Sequence, residues 1–140
     1  MKLLNILLIA SLASSWVCAK EKFFVVERES ESLATIYNGV KRSNIEGMHN
    51  MNHGVVKFDG KDGYVISRDG YVVKFDPESE KISAEYKTSK SAIGFVIGTN
   101  YVAVANYDDK SVDILDRDLK PLEKIKPIQK TLELKRMKII

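Results

Sequence analysis

The sequence predicts an all-β protein built as a partial β-propeller, and three observations support this fold class. Short segments rich in β-branched and aromatic residues follow one another from Phe23 onward, which is typical of strands. Clusters of Gly, Asp and Asn separate these segments, as in tight turns. Part of the strand pattern returns after 40 residues, which is about the length of one four-stranded propeller blade.

The first 19 residues have the organisation of a secretory signal peptide. Lys2 supplies a positive charge, an apolar run covers residues 3–10, and Val17-Cys18-Ala19 forms a small-residue cleavage site. The apolar run is too short for a membrane-spanning helix, which needs about 20 such residues. We therefore expect a periplasmic protein that is cut after Ala19. Lipid attachment at Cys18 is the alternative, which Val17 immediately before it disfavours.

The basic residues lie mainly at the two ends of the chain. The whole sequence has a formal charge of +3, whereas residues 20–126 carry 17 basic against 18 acidic side chains, a net charge of −1. A nucleic-acid partner is disfavoured, because its phosphates must be neutralised by a basic patch. Cys18 is the one cysteine of the sequence, which excludes an internal disulfide and a multi-cysteine metal site.

Eight strands are predicted within residues 20–126, because eight segments there are short and rich in Val, Ile, Tyr or Phe. No segment before Pro127 keeps the apolar period of 3.6 residues that a helix requires. Two polar turns are predicted at residues 77–80 and 117–120, and a further short strand is expected after each of them. The eight predicted strands cover residues 23–26, 34–37, 55–58, 63–67, 71–75, 94–97, 101–104 and 111–115.

The repeat relates two stretches of the chain at an offset of 40 residues. Residues 53–56 align with 93–96, and residues 71–76 align with 111–116, where each stretch ends in a hydrophobic residue followed by Asp. An all-β sandwich would explain the strands but not the repeat. Propellers close with four to eight blades, about 160–320 residues at this repeat length. Residues 20–126 hold about two to three blades, so we expect part of a larger, eight-bladed propeller.

Several motifs resemble the d1-haem propeller domain of the cytochrome cd1 nitrite reductase superfamily. They are HGVVKFDGKDGYVISRDG at residues 53–70, VKFD at 73–76, SAIG at 91–94, VANY at 104–107 and VDILD at 112–116. Within that superfamily, the last three look most like the NirF-type haem d1 biosynthesis proteins. The resemblance covers residues 23–126. The complete reductase is disfavoured, since the sequence has no Cys-x-x-Cys-His motif for a c-type haem.

The resemblance implies an exported protein that binds haem d1 or its precursor and acts in late haem d1 maturation, an oxidation of the macrocycle. Its implied partners are the tetrapyrrole itself, other proteins of the haem d1 pathway and nitrite reductase. Two alternatives stay open at this point. One is a non-catalytic exported repeat module that binds a protein partner, and the other is an inactive truncated copy.

The resemblance also implies roles for individual residues. His53 corresponds to the family histidine that faces the haem iron, which implies a catalytic, cofactor-binding and iron-ligating role. Arg68 would pair with a tetrapyrrole carboxylate through its planar guanidinium, and Asn106 and Tyr107 match a family turn that lines the central cavity. Each of these residues also has an ordinary structural interpretation as part of a turn or loop. His49 is the weaker metal candidate, because an HxxxH pair binds metal on a helix and this segment is predicted to be a loop.

Residues 127–140 depart from the family pattern. Codons can be chosen for residues 127–135 that, read one base earlier, encode Thr-Asn-Ser-Lys-Asn-Val-Gly-Ile-Lys, which resembles the continuation of the family. We therefore interpret this tail as a frameshift product and expect the remaining blades in the downstream genomic DNA. A genuine amphipathic C-terminal helix is the competing interpretation. The predicted organisation is thus a signal peptide at 1–19, a partial propeller at 20–126 and a divergent tail at 127–140.

Overall fold

A computed structural model describes residues 21–126, which form eleven β-strands and, within that range, no helix. The strands make three antiparallel sheets, in each of which strands adjacent in the chain pair with one another. This confirms the all-β prediction. The predictions for the signal peptide, Cys18 and the tail at 127–140 lie outside the described residues. Within 21–126 the structure has no helix that is long and apolar enough to cross a membrane.

The first sheet has three strands, and the second and third sheets have four each. Each of the eight predicted strands overlaps an observed one. The first sheet contains β1 (Lys22–Glu27), β2 (Ser32–Tyr37) and β3 (Val40–Ile45). The second contains β4 (Val55–Asp59), β5 (Asp62–Ile66), β6 (Tyr71–Asp76) and β7 (Lys81–Lys87). The third contains β8 (Ala92–Ile97), β9 (Tyr101–Asn106), β10 (Val112–Asp116) and β11 (Pro121–Ile125).

The strand β3 is the one that the sequence pattern does not predict. Its six residues are mostly polar, and only Ile45 is buried. The strands β7 and β11, expected after the polar turns, are present and are likewise edge strands with largely exposed side chains. An edge strand of this kind has a weak sequence signal, because hydrogen bonds to one neighbour hold it and few of its side chains are buried.

Irregularities in the strand pairing show that the repeat has three copies. The register shifts between Lys74 and Phe75 where β6 pairs with β7, and between Ile114 and Leu115 where β10 pairs with β11. The same shift occurs 39 residues before the first of these, at Thr35, where β2 pairs with β3. Such β-bulges recur at fixed positions of a unit. The three strands of the first sheet therefore correspond to the last three strands of each four-stranded sheet.

The Asp that ends two of the repeated strands closes the turn that follows it. Asp76 Oδ1 accepts the backbone N–H groups of Glu78 and Ser79, at 2.7 and 3.0 Å. Asp116 Oδ1 accepts the backbone N–H of Asp118 at 2.8 Å. A short carboxylate that bonds the backbone two residues later is the usual way in which Asp forms a turn. This explains the hydrophobic-Asp step of the repeat.

The second sheet is buried on both faces, and this positions the candidate site. Successive side chains of a strand point to opposite faces of the sheet. Tyr64 and Ile66 pack toward the third sheet, whereas Val65, Val73 and Phe75 pack toward the first. The two hydrophobic cores hold the sheets side by side. As a result, loops at one end of the second sheet meet loops at the same end of the third.

Candidate functional site

Most of the predicted site residues lie where the ends of the second and third sheets meet. The segment before β4 and the β5–β6 turn come from the second sheet. The residue before β8, the first two residues of β8 and the β9–β10 turn come from the third. A cavity of about 260 Å³ lies between these segments. It is lined by His53, Arg68, Ser91, Ala92, Ile93 and Tyr107.

Two positions of the repeat line the cavity. Each position occurs once in the second sheet and once in the third. His53 lies two residues before β4, and Ile93, 40 residues later, is the second residue of β8. Arg68 and Tyr107 each follow the second strand, 39 residues apart. The repeat alignment already paired Ile93 with His53, so this signal was present in the sequence. No comparable signal distinguished Ser91.

Backbone hydrogen bonds attach each turn to the segment that precedes its sheet. The N–H of Arg68 donates to the carbonyl oxygen of Asn50 at 2.8 Å, and the N–H of Tyr107 donates to that of Ser91 at 2.9 Å. His53 has a left-handed backbone with φ of 63°. The loop before β4 and the Arg68 turn are therefore held together independently of any side-chain contact between His53 and Arg68.

Gly70 fixes the Arg68 turn against the segment that leads to the third sheet. Its φ of +85° is a left-handed conformation, and a Cβ added there would collide with the carbonyl oxygen of Ser89. The carbonyl oxygen of Gly70 accepts the N–H and the hydroxyl of Thr88, at 2.8 and 2.9 Å. The Arg-Asp-Gly sequence of this turn therefore has a steric requirement for glycine at its third position.

The side chains of His53 and Arg68 are exposed in the shared cavity. Within residues 21–126, neither side chain makes a hydrogen bond or an ion pair. Imidazole is a metal ligand, and guanidinium binds carboxylates through two parallel hydrogen bonds. This pair of unengaged groups therefore fits a ligand that carries both a metal ion and carboxylates.

Asn106 and Tyr107, although adjacent, have different environments. Asn106 is buried, and its Nδ2 donates to Asp113 Oδ2 at 2.8 Å and to Ser111 Oγ at 3.1 Å. Its Oδ1 is buried without a hydrogen-bond partner among the described residues. Tyr107 is 68% exposed and lines the cavity. Hydrogen bonds to Ser111 and Asp113 thus satisfy the Asn106 Nδ2 group, whereas the Oδ1 atom has no partner among the described residues.

His49 lies outside this cavity. Its ring stacks on Tyr71, with centroids 3.6 Å apart and ring planes at 6°. Its Nε2 is 2.7 Å from Glu85 Oε2. Across residues 21–126 there is no group of three or more His, Cys, Asp or Glu side chains that could hold a metal ion. The structure therefore places His49 and His53 in different surroundings.

Asp109 holds the β9–β10 turn, which begins at Tyr107 directly after Asn106, the last residue of β9. The hydroxyl of Ser111 donates to Asp109 Oδ1 at 2.6 Å, and Lys124 Nζ is 3.0 Å from its Oδ2. These contacts favour the charged form and lower the pKa of Asp109 to about 2, first through Ser111 and then through Lys124. The carboxylate therefore orders this side of the cavity throughout the physiological pH range.

We expect Ser111→Ala to raise the pKa of Asp109 toward 3.8, and Lys124→Met to raise it less, since Ser111 is the larger cause. Because the folded-state pKa is depressed, the stabilisation is complete above pH 4 or so and is lost as the pH falls toward 2. Carboxyl-carbon NMR titration measures the pKa directly. Lys120→Met serves as the charge-matched control, and equal titration curves in all four proteins would contradict the assignment.

Comparison with known proteins identifies the family of this chain. A family model described as the Cytochrome D1 heme domain matches residues 18–138. The chain belongs to this family. The predicted membership of the d1-haem superfamily is thereby confirmed at the family level. The match continues past Lys126, where the sequence motifs placed the end of the resemblance.

Solved structures of propeller proteins are also similar. Dihydro-heme d1 dehydrogenase NirN in complex with DHE has a TM-score of 0.68 and 27% identity, covering 74% of this chain and 24% of that one. AztD from Citrobacter koseri has a TM-score of 0.62 and 16% identity, covering 76% and 32%. The WD40 domain of Toxoplasma gondii coronin has a TM-score of 0.54 and 13% identity, covering 68% and 30%. The last two show the fold alone.

This chain spans about a quarter to a third of the length of those solved structures. A search of curated proteins gives no match. The prediction of a partial propeller is confirmed, because the three sheets superpose on blades of propeller proteins. The roles predicted for His53, Arg68, Asn106, Tyr107 and His49 stay predictions.

Proposed function

We propose that this chain supplies part of a tetrapyrrole-binding site in an exported protein of late haem d1 maturation, of the NirF type. The observation that carries the proposal is the cavity in which His53 and Arg68 meet, both without another partner in the described part of the chain. Membership of the Cytochrome D1 heme domain family supports haem d1 or its precursor as the ligand.

The residues of the cavity have complementary roles toward such a ligand. The His53 imidazole binds the iron or exchanges a proton with the ligand. The Arg68 guanidinium binds one carboxylate of the ligand. The Tyr107 ring and Ile93 give the ligand apolar contact and exclude water from one of its faces. The bound macrocycle supplies the redox chemistry, as cofactors of this kind do.

Export to the periplasm is part of the proposal. It rests on the apolar run at residues 3–10 and the cleavage site at Ala19. Pull-down with haem d1 pathway proteins or nitrite reductase would identify the protein partner.

Titration of the full chain with iron coproporphyrin tests ligand binding. We expect the Soret band to shift, and His53→Ala to remove the shift and weaken binding by about tenfold or more, because ligation of the iron is lost. His49→Phe is the matched control: it removes the other histidine but keeps a ring against Tyr71, so its spectrum should equal that of the wild type. A shift that persists in His53→Ala would refute the role of His53.

A non-catalytic module that binds a protein partner is the second candidate. The observation that favours it is the apolar exposure of the third sheet, where Ile93 and Val96 are 58% and 55% exposed. Singly exposed apolar residues are ordinary, but neighbouring ones mark interaction surfaces. A folded sample whose addition leaves the porphyrin spectrum unchanged would favour this second candidate.

A further inference from the structure

Each outer sheet has one face that no other sheet covers within residues 21–126. Side chains alternate along a strand, so the open face of the first sheet carries Phe23 and Val25, whose neighbours in β1 pack toward the second sheet. They are 51% and 42% exposed. The open face of the third sheet carries the cross-strand neighbours Val96, Ala103 and Ile114, and Val96 is 55% exposed. Adjacent exposed apolar side chains of this kind mark interaction surfaces.

The three sheets stack through the same contact twice. Where the first sheet packs on the second, the ring of Phe24 lies 5.5 Å from that of Phe75. Where the second packs on the third, Tyr64 shares a hydrophobic core with Val102 and Leu115. Phe24 and Tyr64 are equivalent, because each pairs with the residue that directly precedes the β-bulge of its sheet. In both interfaces, therefore, an aromatic side chain at this position of one sheet fills the contact with the next sheet.

The two open faces carry the opposite sizes at these positions. In the third sheet, the position of Phe24 and Tyr64 is occupied by Ala103, which also pairs with the residue before the bulge. In the first sheet, Phe23 occupies the position of Gly63, since each pairs with the residue that follows the bulge. Inside the chain a large side chain thus faces a glycine position, whereas the open faces offer a small residue and a large one. If the two open faces met, the space left by Ala103 would receive the ring of Phe23.

We propose that two copies of this chain associate head to tail into a closed propeller of six blades. The open face of the third sheet of one copy packs on the open face of the first sheet of the other, and a two-fold axis repeats the contact. The association continues the stacking of sheets that already occurs twice within the chain. Propellers close with four to eight blades, and six is the only multiple of three in that range.

The area of the open faces is sufficient for such a dimer. A face of three strands with five residues each covers roughly 250 Å² at the usual strand spacings. The closed dimer buries four such faces, which together give about 1,000 Å², the area that a specific interface needs. The contact involves no bound ligand, so the inference goes beyond the proposed tetrapyrrole-binding function and does not depend on it.

Sedimentation equilibrium of the full chain, without porphyrin, tests the association. We expect a dimer, and we expect Phe23→Ala and Ala103→Phe each to raise its dissociation constant about a hundredfold. The first variant leaves a void and the second adds a ring that collides with Phe23, and the closed dimer contains the altered contact twice. The combined variant Phe23→Ala/Ala103→Phe exchanges the two sizes, as in the contact of Phe24 with the second sheet. It should therefore return to within about tenfold of the wild type.

The control is Ile82→Ala, which truncates an apolar side chain that is 38% exposed on β7 of the second sheet, away from both open faces. Its dissociation constant should equal that of the wild type. A monomer at all concentrations, an assembly larger than a dimer, or a dimer that Phe23→Ala leaves unchanged would overturn the inference. So would a combined variant that associates no better than the single variants. A monomer that still gives the His53-dependent Soret shift overturns this inference alone, whereas a dimer without that shift overturns only the proposed function.

Discussion

Gly70→Ala is expected to lower the free energy of unfolding by about 2–5 kcal/mol and to abolish ligand binding at the Arg68 turn. The left-handed φ of +85° is unfavourable for alanine, and the added Cβ would collide with the carbonyl oxygen of Ser89. That oxygen belongs to the backbone next to Thr88, which donates two hydrogen bonds to Gly70. Relief of the collision therefore breaks those bonds and separates the turn from the segment before β8.

Gly39→Ala is the matched control for this prediction. Gly39 has nearly the same φ, +80°, but an added Cβ would have no atom within 4 Å. Its variant should lose only about 1–2 kcal/mol, the cost of the left-handed conformation. Urea unfolding of the full chain measures both values, and the porphyrin titration reports on the cavity. Equal losses in the two variants would contradict the collision with Ser89.

The fold could be predicted from the sequence to the extent that its strands bury side chains. The strands β5 and β6 are buried on both faces, so their sequences are short apolar runs. These runs predict both strands. The repeat was found because Asp76 and Asp116 close equivalent turns. β3 was missed because its polar residues are held by backbone hydrogen bonds at a sheet edge, which leave no pattern in the side chains.

The candidate site was predictable in part, for a related reason. His53, Arg68 and Tyr107 occupy repeat positions that the packing of two sheets brings to one cavity. The resemblance to a family indicated these residues. The repeat places them at equivalent ends of neighbouring sheets, where they line one cavity. Ser91 carried no signal, because polar loop residues are common and only tertiary packing shows that this one lines the cavity. The stacking of His49 on Tyr71 is equally invisible in the local sequence.

Tyr64→Ala is expected to lower the free energy of unfolding by about 3–5 kcal/mol, the usual loss for a buried aromatic side chain. Tyr64 is fully buried in the core between the second and third sheets. Its hydroxyl donates to the carbonyl oxygen of Arg117 at 2.9 Å and accepts from Arg117 Nε at 3.1 Å. Arg117 Nη1 also donates to the carbonyl oxygen of Gly98 at 2.9 Å. Loss of the ring would therefore loosen the contact between the two sheets whose loops form the cavity.

Phe75→Ala provides a control with the same loss of stability on the other face of the second sheet. Phe75 is fully buried against the first sheet, with its ring 5.5 Å from that of Phe24. We expect a similar fall of about 3–5 kcal/mol but an unchanged porphyrin affinity for the folded fraction, because the first sheet contributes no residue to the cavity. Tyr64→Phe should lose only about 1 kcal/mol. If Phe75→Ala weakens binding as much as Tyr64→Ala, the site depends on global stability rather than on the packing of the second sheet against the third.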